Sequence, residues 1–128
     1  MANTLKVLLV EDDETLRTLY KEAFTHNNFE VFEAEDGQRA IDAALEHRPD
    51  MILLDLLLPR QGGLAALRIL RSIPETQHTP VFILTAMPNP EYQETAKNRA
   101  QGYFLKTQIT PQALVDKVRQ YLEKDSHK

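Results

Sequence analysis

A chain of 128 residues with 15 Lys+Arg against 19 Asp+Glu has a formal charge of -4, which leaves no net basic surface for nucleic acid. At this length a fold hides roughly two-thirds of the surface its unfolded chain exposes, enough for one core, so a two-domain enzyme is excluded. The lack of cysteine excludes disulfides, thiolate zinc sites and a cysteine nucleophile, and apolar stretches of four residues, such as Val7–Val10 and Val81–Leu84, fall far short of the about 20 a membrane span needs.

Lys6–Val10 is an unbroken Val/Leu run, the pattern of a strand covered on both faces. Leu16, Leu19, Tyr20, Ala23 and Phe24 follow at helical spacing and predict an amphipathic helix with these residues inward. Phe29–Ala34 alternates and reads as an edge strand, and Ala40, Ile41, Ala44 and Leu45 mark a second helix. Met51–Leu54 is a second covered strand, followed by a third helix through Leu64, Leu67 and Leu70. Val81–Leu84 is the next strand. Glu91–Ala100 is a more polar helix with Tyr92, Ala96 and Ala100 inward, and Asn89-Pro90 supplies its cap and first position. Tyr103–Leu105 is the last strand, and Leu114, Val115, Val118, Tyr121 and Leu122 mark the last helix, opened by Thr110-Pro111. Without repeats or Gly/Ser linkers, the chain reads as a single domain over 1–128, with a core from about 5 to 122 and a polar tail at 123–128 that is expected to fray.

Five strands alternating with five helices argue for a doubly wound α/β fold, because parallel neighbours need right-handed crossovers and the helices supply them. Ligands of such sheets bind beyond the carboxyl ends of the strands, near the point where strand order reverses. Glu11, Asp12, Asp13 and Glu14 follow the first strand, Asp55 follows Met51–Leu54, Thr85 follows Val81–Leu84, and Lys106 follows Tyr103–Leu105. Each has an ordinary use. Acids between strand and helix cap the helix, which suffices for Asp13, Asp55 can cap a turn, Thr85 can end a strand, and lysines are mostly solvated. Asp55 is the odd one, enclosed within Met51–Leu58, where a carboxylate without a partner is costly.

With strand order 2-1-3-4-5, these residues share one cleft. Two carboxylates ~4 Å apart repel by about 4 kcal/mol at an effective dielectric of 20, so Glu11, Asp12 and Asp55 cannot all stay ionised there uncompensated. One lysine does not balance three carboxylates, whereas a divalent cation does, and oxygen-only ligands point to Mg2+. A metal, a carboxylate, a hydroxyl and an ammonium together suit phosphoryl transfer, in which an aspartate can be the nucleophile. Other chemistries lack support. There is no Gly-rich phosphate loop and no GxSxG elbow, and His26, His47, His78 and His127 are scattered and read as solvated surface groups.

From Leu5 to about Leu122 the chain resembles the receiver domain of two-component response regulators. The matching pieces are Lys6-Val7-Leu8-Leu9-Val10-Glu11-Asp12-Asp13, then Pro49-Asp50 through Asp55 to Pro59 and Gly63, then Pro80 through Thr85-Ala86, then Gly102-Tyr103-Phe104-Leu105-Lys106. The resemblance implies a flavodoxin-like fold with Asp55 as phosphoacceptor, Asp12 binding Mg2+ directly, Glu11 assisting through water, and the Leu57 carbonyl completing the protein ligands. It also implies that Thr85 hydrogen-bonds the phosphoryl group, that Lys106 pairs with it, and that Tyr103 is the aromatic switch partner of Thr85. The chain departs from the family at Thr107, where proline usually follows the lysine through a cis bond, at Gly62, where an acid is frequent, and at Leu57 and Met87, where polar residues are frequent. Before threonine a cis bond costs roughly 2.5 to 4 kcal/mol, so a trans bond is expected, with 107–110 rerouted to keep Lys106 on Asp55.

The expected function is that of a stand-alone cytoplasmic receiver. It takes a phosphoryl group from a phosphohistidine on a sensor histidine kinase or histidine phosphotransfer protein, and signals to a protein target through the fourth helix, last strand and last helix. Neither nucleic acid nor membrane is an expected partner, the state is monomer or weak dimer, and enzymatic activity is confined to self-phosphorylation and self-dephosphorylation. The competing readings are a phosphorylation-independent interaction module, a small phosphohydrolase, which would want an acid where Leu57 stands, and a flavodoxin-like carrier, which would want a hydroxyl and glycine loop where the acids stand.

Overall fold

Each apolar run becomes a strand in the computed structural model, which describes residues 4–58, 62–86 and 89–126. The order is β1 (Lys6–Val10), α1 (Glu14–His26), β2 (Glu30–Ala34), α2 (Gly37–His47), β3 (Met51–Leu54), α3 (Gly63–Ser72), β4 (Val81–Thr85), α4 (Pro90–Ala96), β5 (Gly102–Leu105) and α5 (Pro111–Ser126), with a short 3-10 turn at Lys106–Gln108. All strand pairs are parallel, in the order β2-β1-β3-β4-β5. The expected doubly wound sheet is therefore present, with β2 at one edge.

The unbroken apolar runs follow from burial on both faces. Leu8, Val10, Ile52, Leu54 and Ile83 face one way and pack with Ala40, Ile41 and Ala44 of α2 and Ala66, Leu67 and Leu70 of α3. Val7, Leu9, Met51, Leu53, Phe82 and Leu84 face the other way and pack with Tyr20 and Phe24 of α1 and Leu114, Val115 and Val118 of α5. Each fully buried Val, Leu, Ile, Met or Phe among these contributes about 1.5–3 kcal/mol. Among the described residues no helix is long and apolar enough to cross a membrane.

Four expectations need correction. Leu19 is 48% exposed, because α1 buries the narrower stripe of Tyr20 and Phe24, and one residue before Tyr20 lies about 100° round the helix. The fourth helix stops at Ala96, where Arg99 and Ala100 both donate to the Ala96 carbonyl and Gln101 donates to Val81, drawing the chain into β5. The last helix runs past Leu122 to Ser126, since no glycine or proline interrupts it after Pro111, so most of the expected tail is helical. His47 is no free surface group: its ring stacks on Phe32 at 3.9 Å and it meets Glu46 at 2.9 Å. His127, Pro59 and Met87 lie outside the described residues.

Candidate functional site

The β1–β3 register pairs Val10 with Leu54, so the residues that follow, Glu11 and Asp55, leave adjacent strands at the same level. Glu11 and Asp55 are buried and Asp12 is exposed, and each brings one carboxylate oxygen within 4.8 Å of the others. Lys106, just past β5, sends its ammonium into the same place, where Nζ donates to Asp55 Oδ2 at 2.9 Å and to Glu11 Oε1. The second carboxylate oxygen of Asp55 and that of Glu11 are also held. Asp55 Oδ1 accepts the Leu57 N–H at 3.0 Å, and Glu11 Oε2 accepts the Asp13 N–H at 3.1 Å. Asp13 itself is the α1 N-cap, accepting from the Leu16 N–H at 2.9 Å.

No cis peptide bond occurs among the described residues, so the Lys106–Thr107 bond is trans, as expected; the chain enters a 3-10 turn at Lys106–Gln108, and the Lys106 ammonium still reaches Asp55. Gly63 is needed for another reason. A Cβ there would overlap the Asp55 carbonyl oxygen and lie 2.6 Å from the Leu56 Cα, so only glycine lets α3 start directly against the Asp55 loop. Its N–H donates to the Leu56 carbonyl at 3.2 Å.

Electrostatics follow from this crowding. Burial raises the Glu11 pKa above 4.5, and the hydrogen bonds and charge of Lys106 only partly oppose it. For Lys106 burial acts downward, but the hydrogen bonds and charges of Glu11 and Asp55 together outweigh it and hold the ammonium above 10.5. In the window just above pH 4.5, folded Glu11 keeps a proton that the unfolded chain has lost, so its contribution to stability falls as pH rises through that window. A metal needs the carboxylate. Any divalent-cation affinity of the cluster is therefore expected to rise over the same window, which isothermal titration with magnesium across pH 4.5 to 7 would check.

Thr85 is buried at the end of β4, level with Leu105 of β5, at the same sheet edge, and it makes no side-chain hydrogen bond to Asp55 or Lys106. Tyr103 is partly buried against the α2/α3 side of the core, and its hydroxyl is buried with no partner among the described residues. A buried hydroxyl left unpaired costs about 1–3 kcal/mol. Tyr103→Phe is expected to recover about 1 kcal/mol of that in the resting state, read as a higher urea midpoint.

A family model for the response regulator receiver domain matches residues 7–119. The chain belongs to that family. It is similar to the polar-differentiation response regulator DivK of Brucella anthropi, at 29% identity over 91% of this chain and 94% of the relative. Among solved structures it is similar to the chemotaxis protein CheY4 of Vibrio cholerae, with TM-score 0.84 and 27% identity over 92% of this chain and 98% of that one. The receiver domain of the sensor histidine kinase PA1611 of Pseudomonas aeruginosa, which has a magnesium ion coordinated in its own active-site cleft, shares the fold at TM-score 0.84 and 24% identity, over 94% of this chain and 99% of that one. The receiver is thus a two-component signalling domain.

Of the residues singled out in the sequence, the structure gathers Glu11, Asp12, Asp55, Leu57 and Lys106 at one point, sets Thr85 at the same edge, and places Tyr103 one strand away. Three features were not read from the sequence. The Leu57 N–H on Asp55 and the Asp13 N–H on Glu11 are backbone groups that no residue type announces. The third is Arg17, whose guanidinium donates to the Glu11 carbonyl at 2.7 Å, and its only trace in the sequence is its position one turn past the Asp13 cap.

Proposed function

We propose that this receiver accepts a phosphoryl group on Asp55 from a phosphohistidine of a sensor histidine kinase or histidine phosphotransfer protein. The observation that carries the reading is the Asp55 carboxylate, buried and held between the Lys106 ammonium and the Leu57 N–H, with two further carboxylates within 4.8 Å. An Asp55 oxygen attacks phosphorus, the new O–P bond replaces the donor's N–P bond, and the freed imidazole leaves as the neutral base or takes a proton from solvent. Lys106 stays charged and faces the negative charge on the transferring oxygens.

The donor set suits Mg2+, since every candidate ligand is an oxygen: Asp12 and Asp55 directly, Glu11 through water, and the Leu57 carbonyl. The ion would supply charge neutralisation that one ammonium among three carboxylates does not. After transfer the anion carries about one more negative charge than the carboxylate, which draws the Thr85 hydroxyl toward it and biases Tyr103 and the surface of α4, β5 and α5 toward a protein target. The domain acts in the cytoplasm as a single unit over 1–128, with self-phosphorylation and self-dephosphorylation as its only catalysis.

Leu57 exposes 46% of its surface beside Asp55 and offers the attacking water no hydrogen bond. Slow self-dephosphorylation follows. Replacing Leu57 and Met87 together by polar residues is expected to shorten the phosphoryl lifetime, by up to about 10² if one comes to position the water; a lifetime unchanged or longer in that double variant would contradict it. The function itself is tested with a small-molecule phosphodonor and intact-mass measurement. One phosphoryl group should add in magnesium and none in a chelator, whereas no addition in either would favour a phosphorylation-independent interaction module.

A further inference from the structure

We infer that Arg17 is a positioning residue for the metal-binding acids, acting through the backbone between Glu11 and Asp12; this rests on the magnesium reading of the site. The Arg17 side chain is only 17% exposed and bridges two elements. Its NH1 donates to the Glu11 carbonyl at 2.7 Å, and its Nε meets Glu33 Oε1 of β2 at 3.3 Å. Glu33 is held in turn by Lys21 at 3.1 Å.

The Glu11 carbonyl belongs to the same rigid peptide plane as the Asp12 N–H, so fixing one fixes the other. The orientation of that plane sets the direction in which the Asp12 Cα–Cβ bond leaves the chain. Glu11 is anchored on its other side by its own N–H, which donates to the Ala34 carbonyl at 3.0 Å. The Arg17 N–H closes the loop from behind by donating to the Asp13 carbonyl at 2.9 Å. Residues 11–13 are therefore clamped from β2 and from α1, and among the described residues the Arg17 guanidinium is the one side chain that holds the plane leading into Asp12. Groups that orient metal ligands are typically worth about 10–100-fold in metal affinity.

The sign of the effect separates positioning from simple charge. Arg17 is a cation close to the acid cluster, so by Coulomb's law its removal would strengthen magnesium binding. Loss of positioning does the opposite. Arg17→Met is expected to weaken magnesium binding about tenfold. Arg17→Lys, which keeps the charge but has no fork to span the Glu33 carboxylate and the carbonyl together, is expected to weaken it as well. Calorimetric titration with magnesium alone, at a temperature where circular dichroism shows every variant folded, gives the affinities. Amide hydrogen exchange at Asp13 in metal-free protein gives an independent readout, because its N–H bond to Glu11 Oε2 depends on the same loop; faster exchange in Arg17→Met is expected. Equal or tighter magnesium binding in both variants, or unchanged Asp13 exchange, would overturn the role of Arg17. Asp12→Asn separates the two readings: if it binds magnesium like the wild type, the site assignment fails first and the Arg17 role with it.

Discussion

Lys106→Met should destabilise the resting fold by several kcal/mol. Its ammonium touches Asp55 and Glu11 at once, and both carboxylates are buried. Removing one partner of a buried ion pair costs about 3–5 kcal/mol, because the partner left behind remains desolvated and uncompensated. Here two such partners remain, so a loss at the upper end is expected in urea denaturation at neutral pH with a chelator present. Two conditions should reduce it. Lowering the pH toward the window just above 4.5 protonates Glu11, whose pKa is already raised by burial, and removes one of the stranded charges. Adding magnesium supplies a replacement cation and stabilises by mass action. A loss that is the same at pH 5 and pH 7, and with or without magnesium, would show that Lys106 acts through packing instead.

Asp55→Asn should separate chemistry from stability. The amide has no nucleophilic carboxylate, so phosphoryl addition from any donor should fall to background. Its carbonyl oxygen can still accept from Lys106 or from the Leu57 N–H, and one of the crowded negative charges beside Glu11 is gone. Two carboxylates ~4 Å apart repel by about 4 kcal/mol at an effective dielectric of 20, against which the weakened ion pair with Lys106 must be set. A net gain of about 1 kcal/mol in metal-free protein is expected, the same size as a typical net hydrogen bond. Labelling at the wild-type rate would move the acceptor elsewhere.

The fold was legible because burial on both faces leaves a plain signature. Lys6–Val10, Met51–Leu54 and Val81–Leu84 contain no polar residue after Lys6, and only a strand covered by helices on both sides tolerates that. The gathering of the candidate residues was legible for a related reason, in that residues directly after parallel strands come together at one edge of the sheet. What was less legible depended on finer packing. Leu19 matches the helical spacing of its neighbours, yet the stripe that α1 buries is one residue too narrow to include it. Ala100 does pack against the core, but from a turn beyond α4, because the pull of β5 pairing ends the helix early. The backbone donors on Asp55 and Glu11, and the Arg17 bond to a carbonyl, depend on loop geometry that residue types do not encode.

The residue that carries the phosphoryl group can be read by borohydride trapping. An acyl phosphate is reduced by borohydride to the alcohol, releasing phosphate, so a phosphorylated aspartate is converted to homoserine and its position can be read by peptide mass mapping. After incubation with magnesium and a small-molecule phosphodonor, followed by borohydride, homoserine is expected at residue 55 and nowhere else, with none formed in a chelator. Homoserine at residue 12, or a phosphoryl group that survives borohydride on another side chain, would contradict the assignment of Asp55 as the acceptor.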